Sequence, residues 1–308
     1  MKTTKKICGM ALALTFALST ALRAQDLYVA NSGNGTIGVY GLDGSAINPS
    51  LITGLDSPYG VAISGNDLFV VNNDSGTIGE YTTSGQTVNA SLVSGLNDPV
   101  GIAISGGNLF VVNWGAGPGS VGEYTTSGQT VNPALITGLT YPYGIAISGA
   151  NVFVSNAAYG TTVGEYTTSG QTLNTSFISG LVMPYGLAIA GNNLLVANWA
   201  NGTIGEYGLD GSTVNTDLIS GLNDPNGIAT SGNDLYVANW STGAIGEYGL
   251  DGSTVNTGLI TGLSGPTGVA IGPVPEPATA SLAGLSAAAF ALLRWRKNDK
   301  GKTRKFNK

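Results

Sequence analysis

Histidine is absent from the 308 residues, and the single cysteine, Cys8, stands close to the N-terminus. Residues 25–273 also lack lysine and arginine. The twelve basic side chains are Lys2, Lys5, Lys6 and Arg23, then Arg294, Arg296, Lys297, Lys300, Lys302, Arg304, Lys305 and Lys308. These absences remove the Ser-His-Asp triad, the thiolate nucleophile, the Schiff-base lysine and the guanidinium clamp from that stretch. They also leave it without a disulfide. Of the eighteen acidic residues only Glu276 and Asp299 lie outside it, so its formal charge is −16, against −6 for the whole chain. A body of that sign repels phosphate backbones and anionic headgroups, which excludes nucleic acid as a partner.

Long apolar runs occur only at the two ends. Residues 1–24 begin with Lys2, Lys5 and Lys6 and continue into ICGMALALTFALSTAL, with Ala24 placed for cleavage. That order is expected of a secretory signal peptide. Residues 274–308 hold the triplet Pro275, Glu276, Pro277, the apolar stretch Ala278–Leu293, and a basic cluster that opens with Arg294, Arg296 and Lys297. The apolar stretch is short for a bilayer span, and the basic tail would hold that end on the cytoplasmic side. In that order the three parts resemble the PEP-CTERM sorting signal. The resemblance implies an exosortase-type processing enzyme as a partner and a transient inner-membrane stage before release. A simple C-terminal membrane anchor is the alternative. Either expectation puts residues 25–273 outside the inner membrane, at the cell surface or in an extracellular matrix.

Glycine is abundant in the chain (48 residues), about twice its usual share, and nearly all of it lies between the ends. It punctuates four phrases, each written six times. LYVAN and its variants begin at Leu27, Leu68, Leu109, Val152, Leu194 and Leu235, and IGEY at Ile37, Ile78, Val121, Val163, Ile204 and Ile245. LITGL begins at Leu51, Leu92, Leu135, Phe177, Leu218 and Leu259, and GVAIS at Gly60, Gly101, Gly144, Gly186, Gly227 and Gly268. Short β-branched or aromatic phrases bounded by Gly, Asn, Asp, Ser and Pro predict strands. Four strands in a period of about 40 residues predict a propeller blade, so six copies predict an all-β, six-bladed β-propeller over 25–273. GVAIS is expected innermost and continuously buried, because neighbouring blades would cover both of its faces. The last GVAIS would then complete the blade opened by the first LYVAN, pairing the two ends of the domain. The layout resembles NHL and YVTN-type propellers, in which a P-x-G-I-A-I phrase leads into LYVA(N/D) and then I-x-x-Y/F.

Propellers of similar appearance include streptogramin lyases, whose histidines this sequence does not have, and calcium-dependent lactonases. The latter leave calcium as a conceivable cofactor and a lactonase-like hydrolase as the alternative function, because Glu, Asp and Asn supply hard oxygen ligands. A two-carboxylate glycosidase stays formally open, although no carboxylate pair is marked out. Glu80, Glu123, Glu165, Glu206 and Glu247 recur in IGEY, where the first copy has Val39, and are expected to pack half-buried. The Asn that closes each LYVAN (Asn31, Asn72, Asn113, Asn156, Asn198, Asn239) is expected to bond the backbone two residues on. Positions that break the repeat point to a ligand. Trp114, Trp199 and Trp240 follow three of those Asn residues, and Tyr59, Tyr143 and Tyr185 stand between Pro and Gly before three inner strands. In a propeller both positions fall on one face near the axis. There aromatic rings suit stacking on sugars, or simply packing of adjacent loops. The expectation is a non-enzymatic binder of exopolysaccharide or of a surface protein.

Overall fold

The computed structural model describes residues 25–115, 117–157 and 161–274. The expected leader and the sorting residues Pro275, Glu276, Pro277, Arg294, Arg296 and Lys297 lie outside the described residues. Within them every regular element is a strand, and twenty-four strands run in chain order from β1 to β24. They form six four-stranded antiparallel sheets. In blade two the order is β4 (Pro58–Ser64), β5 (Asp67–Asn72), β6 (Thr77–Thr82) and β7 (Thr87–Ser94), with β4 innermost. Blade one is assembled from both ends of the domain. β24 (Pro266–Pro273) lies beside β1 (Gln25–Asn31), followed by β2 (Thr36–Gly41) and β3 (Ala46–Ile52). The seam is a ladder in which Leu27 faces Ile271 and Val29 faces Val269. No sheet edge is left open at the junction.

The core is divided into six clusters, and each is shared by two blades. β5 shows why its phrase is apolar without interruption. Leu68 and Val70 pack towards blade one with Tyr28 and Ile37, whereas Phe69 and Val71 pack towards blade three with Leu109 and Val111. Successive side chains point to opposite faces of a strand, and here both faces are interblade core. The buried strand is thus the second one, not GVAIS as the sequence suggested. The inner strands are half-exposed, because one face lines the axial channel.

The inner phrase has a different requirement. A Cβ on Gly60 would lie 2.6 Å from the carbonyl oxygen of Val100 in the next blade. The same relationship runs round the axis from Gly101 to Tyr143, Gly144 to Tyr185, Gly186 to Asn226, Gly227 to Thr267 and Gly268 back to Tyr59. Six backbones meet at the axis, and only glycine lets them come this close.

Outer strands begin before the phrase that announced them. In β7 the exposed segment Thr87–Ser91 precedes Leu92, and only Val93 is buried. Both faces of that segment meet water, so it carries no apolar signal. Asn89 Oδ1 accepts the Ser91 N–H at 3.1 Å, and the same turn recurs at Asn132, Asn174, Asn215 and Asn256. One backbone donor on each of these edges is thereby satisfied within the strand, which blunts edge-to-edge pairing.

Candidate functional site

One loop face is built by a backbone bond repeated in every blade. The residue after each LYVAN Asn donates its N–H to the residue that precedes the inner-strand proline. Asn73, Trp114, Ala157 and Trp199 bond Ser57, Asp98, Tyr141 and Met183 at 3.0 Å, and Ser32 bonds Gly265 at the same length. Trp240 bonds Asp224 at 3.2 Å. The acceptors all adopt left-handed backbone, with φ between 48° and 58°. This conformation is disfavoured before proline and natural only for Gly265, which precedes the inner strand of blade one. These bonds fix both sets of sequence-selected aromatics on the same face.

The structure joins four of those six residues. Tyr143 stacks on Tyr185 with ring centroids 3.9 Å apart and planes 14° from parallel. Tyr185 stacks in turn on Trp199 at 5.6 Å, and Tyr59 meets Tyr143 edge-on at 6.2 Å. Tyr143 crosses the mouth of the channel, where its hydroxyl and the side-chain amide of Asn226 lie within hydrogen-bond distance (Nδ2 at 3.1 Å, Oδ1 at 3.3 Å). Below this lid the axial cavity holds about 90 Å³, lined by Gly60, Ile102, Ile145, Leu187, Ile228 and Val269. That is room for roughly three waters and too little for a sugar ring. The rings, not the channel beneath them, are the part of this centre with room for anything as large as a sugar ring.

Trp114 and Trp240 stand apart from the stack. Trp114 is 41 % exposed and meets Tyr141 at 5.6 Å, and Trp240 is 45 % exposed beside Gly265 and Ser32. Sequence reasoning did not single out Tyr141, Asp98 or Asn226. The signal for Tyr141 was its place before a proline, in TYPYG, where the other blades carry Ser, Asp, Met or Gly.

The site's electrostatics suit hydrogen bonding better than acid–base work. Burial raises the hydroxyl pKa of Tyr59, Tyr143 and Tyr185, and Asp74 raises Tyr59 further, while Asp224 adds to the rise at Tyr185. All three stay protonated through neutral pH and beyond, so none supplies a phenolate base.

The repeated carboxylates and amides have structural work. Glu123, Glu165 and Glu206 accept bonds from Asn108, Asn151 and Asn193 at 2.7, 2.9 and 2.6 Å. The LYVAN asparagines do not make the local turn that was expected. They are buried, and Asn31, Asn72 and Asn198 each reach across to a Thr hydroxyl of the next strand at 3.3 Å. Asn198 and Asn239 also accept N–H bonds from Val182 and Asn223. Among the described residues no three Asp, Glu, His or Cys side chains converge to hold a metal ion. The calcium-dependent alternative therefore has no ligand cluster of that kind in this part of the chain.

No protein-family model matches the chain, and no curated protein matches it in sequence. Solved structures do match in fold. A chain of a nidogen/laminin complex is similar with a TM-score of 0.70 and 16% identity, over 80% of this chain and 98% of that one. Virginiamycin B lyase from Staphylococcus aureus is similar with a TM-score of 0.58 and 18% identity, over 80% of this chain and 85% of that one. A catalytically inactive variant of that lyase, with one histidine replaced by alanine and quinupristin present, gives 0.55 and 17%, over 80% and 89%. At these identities the likeness is one of fold alone.

Proposed function

We propose that this chain is an exported, non-enzymatic six-bladed propeller that binds glycan on the face bearing Tyr59, Tyr143, Tyr185 and Trp199. One observation carries the reading: Tyr143, Tyr185 and Trp199 form a continuous stack over an axial cavity too small for a sugar ring. Aromatic faces bind the C–H faces of sugars, and the flanking Asn226 amide and tyrosine hydroxyls bond sugar hydroxyls. Lyase chemistry of the kind that a single His-to-Ala change abolishes has no counterpart in a chain without histidine.

The ends complete the reading. Residues 1–24 act as a signal peptide. Residues 274–308, with Pro275, Glu276, Pro277 and the cluster Arg294, Arg296 and Lys297, act as a sorting signal for an exosortase-type enzyme. The propeller is thereby delivered to the surface or to the exopolysaccharide matrix. The test is retention of the full chain on the exopolysaccharide of the producing cell in affinity electrophoresis. Tyr185→Ala and Trp199→Ala should each clearly weaken the retardation, and Val88→Ala on the outer rim should leave it unchanged. Equal retardation of all four proteins would refute the site.

A further inference from the structure

A larger cleft on this face lies off the axis. About 680 Å³ opens beside Trp114, between Gly115, Gly117 and Pro118 on one side and Leu139, Thr140 and Tyr141 on the other, with Asp98 at its wall. That is more than seven times the axial cavity and within the range of about 300–1,000 Å³ typical of small-ligand sites. Trp114 and Tyr141 are 41 % and 43 % exposed and tilted by 59° to each other, so both rings open to solvent. Asp98 and Thr140 share the lining.

Two further observations set this cleft apart from the repeat. Blade three spaces its phrases more widely than blade two: Leu109 to Val121 is two residues longer than Leu68 to Ile78. Five non-glycine residues hold this left-handed position before the inner-strand proline, and Tyr141 (φ 49°) is the aromatic among them, beside Ser57, Asp98, Met183 and Asp224.

We propose that this cleft is a second binding site, which takes one neutral hexose unit of a polysaccharide against the exposed faces of the Trp114–Tyr141 pair. The proposal rests on the glycan reading above and names its chemical class. Asp98 accepts bonds from adjacent sugar hydroxyls, and Thr140 both donates and accepts. Nowhere from 25 to 273 is there a cation to neutralise a uronate or a sulfate, and the domain's charge of −16 repels both. Neutral polymers are selected by exclusion of anionic ones.

Each tryptophan has one indole N–H, so the full chain can be titrated while the Trp114, Trp199 and Trp240 signals are followed separately by NMR. The probes are a neutral glucose or mannose hexamer and a galacturonate hexamer. The neutral hexamer should shift the Trp114 signal in a saturable way, and should still do so in Trp199→Ala. Tyr141→Gly should weaken that response about tenfold, the loss of one stacked ring, without lowering Tm. The galacturonate should move Trp114 at least about tenfold more weakly at low salt. A Trp199 shift with Trp114 silent would overturn this proposal and leave the axial site standing. Silence at both would overturn both. An equal response to the galacturonate would overturn the assignment to neutral sugars.

Discussion

Thr267 Oγ1 donates to the carbonyl oxygen of Pro58 at 3.0 Å, across 209 positions of chain. The same hydroxyl lies 3.3 Å from Tyr59 O and 3.4 Å from Ala30 O, so the last inner strand is tied to both blades at the seam. Thr267 is 2 % exposed, and the carbonyls around it would lose a buried donor if the hydroxyl went. Thr267→Val keeps the shape and should cost about 1–3 kcal/mol, seen as a lower midpoint in urea with an unchanged slope. Thr267→Ser should recover most of it.

The ring of glycines predicts a change that crosses from blade to blade. In Gly144→Ala the new methyl would press on the backbone of Tyr185, the residue that carries the stack. Overpacking of this kind costs about 1–3 kcal/mol. Binding should fall as well, although Gly144 touches no ligand, because Tyr185 moves against Trp199. Thermal melting and sugar retention, measured on one preparation, check both effects.

Two blades lack the amide that settles their glutamate. Asp67 and Asp234 stand where blades three, four and five place Asn108, Asn151 and Asn193. Burial first, then the charge of Asp67 or Asp234, raises the carboxyl pKa of Glu80 and Glu247. A raised folded pKa favours the protonated form. Its stabilisation is present below the usual glutamate range and is lost as pH rises through the raised value. Asp210 and Asp251 are shifted down by their Ser212 and Ser253 bonds, and work the opposite way only below the ordinary aspartate range. Tm should therefore be higher near pH 5 than at pH 7.5. Asp67→Asn with Asp234→Asn should raise Tm at pH 7.5 and shrink the difference.

Sugar binding should be flat between pH 6 and 9 as far as the tyrosines govern it. Tyr59, Tyr143 and Tyr185 are all raised above their ordinary value, so none loses its proton in that window. A drop in affinity centred near pH 8 would contradict their assigned role as neutral donors and acceptors.

The blades were legible because each repeats its periodicity six times, and because the seam needs the last GVAIS to meet the first LYVAN. The outer strands were legible only at one end, since Thr87–Ser91 and its counterparts are exposed and have no apolar pattern to read. The continuous burial of β5 was assigned to the wrong strand. Apolarity in GVAIS is shared between interblade packing and the channel wall, which sequence does not distinguish. Grouping Trp114 and Trp240 with the others followed from their shared repeat position, but side chains at equivalent backbone sites turn to different neighbours. Trp199 meets Tyr185 whereas Trp114 meets Tyr141.

Recognition without conversion is the core of this account, and one experiment reads both halves. The full chain is incubated to equilibrium with a neutral hexose hexamer, binding is measured by calorimetry, and the sugar is then recovered and analysed by mass spectrometry. Saturable binding with the hexamer returned intact is the predicted result. Heat from turnover, shortened or modified sugar, or no saturable binding would contradict it.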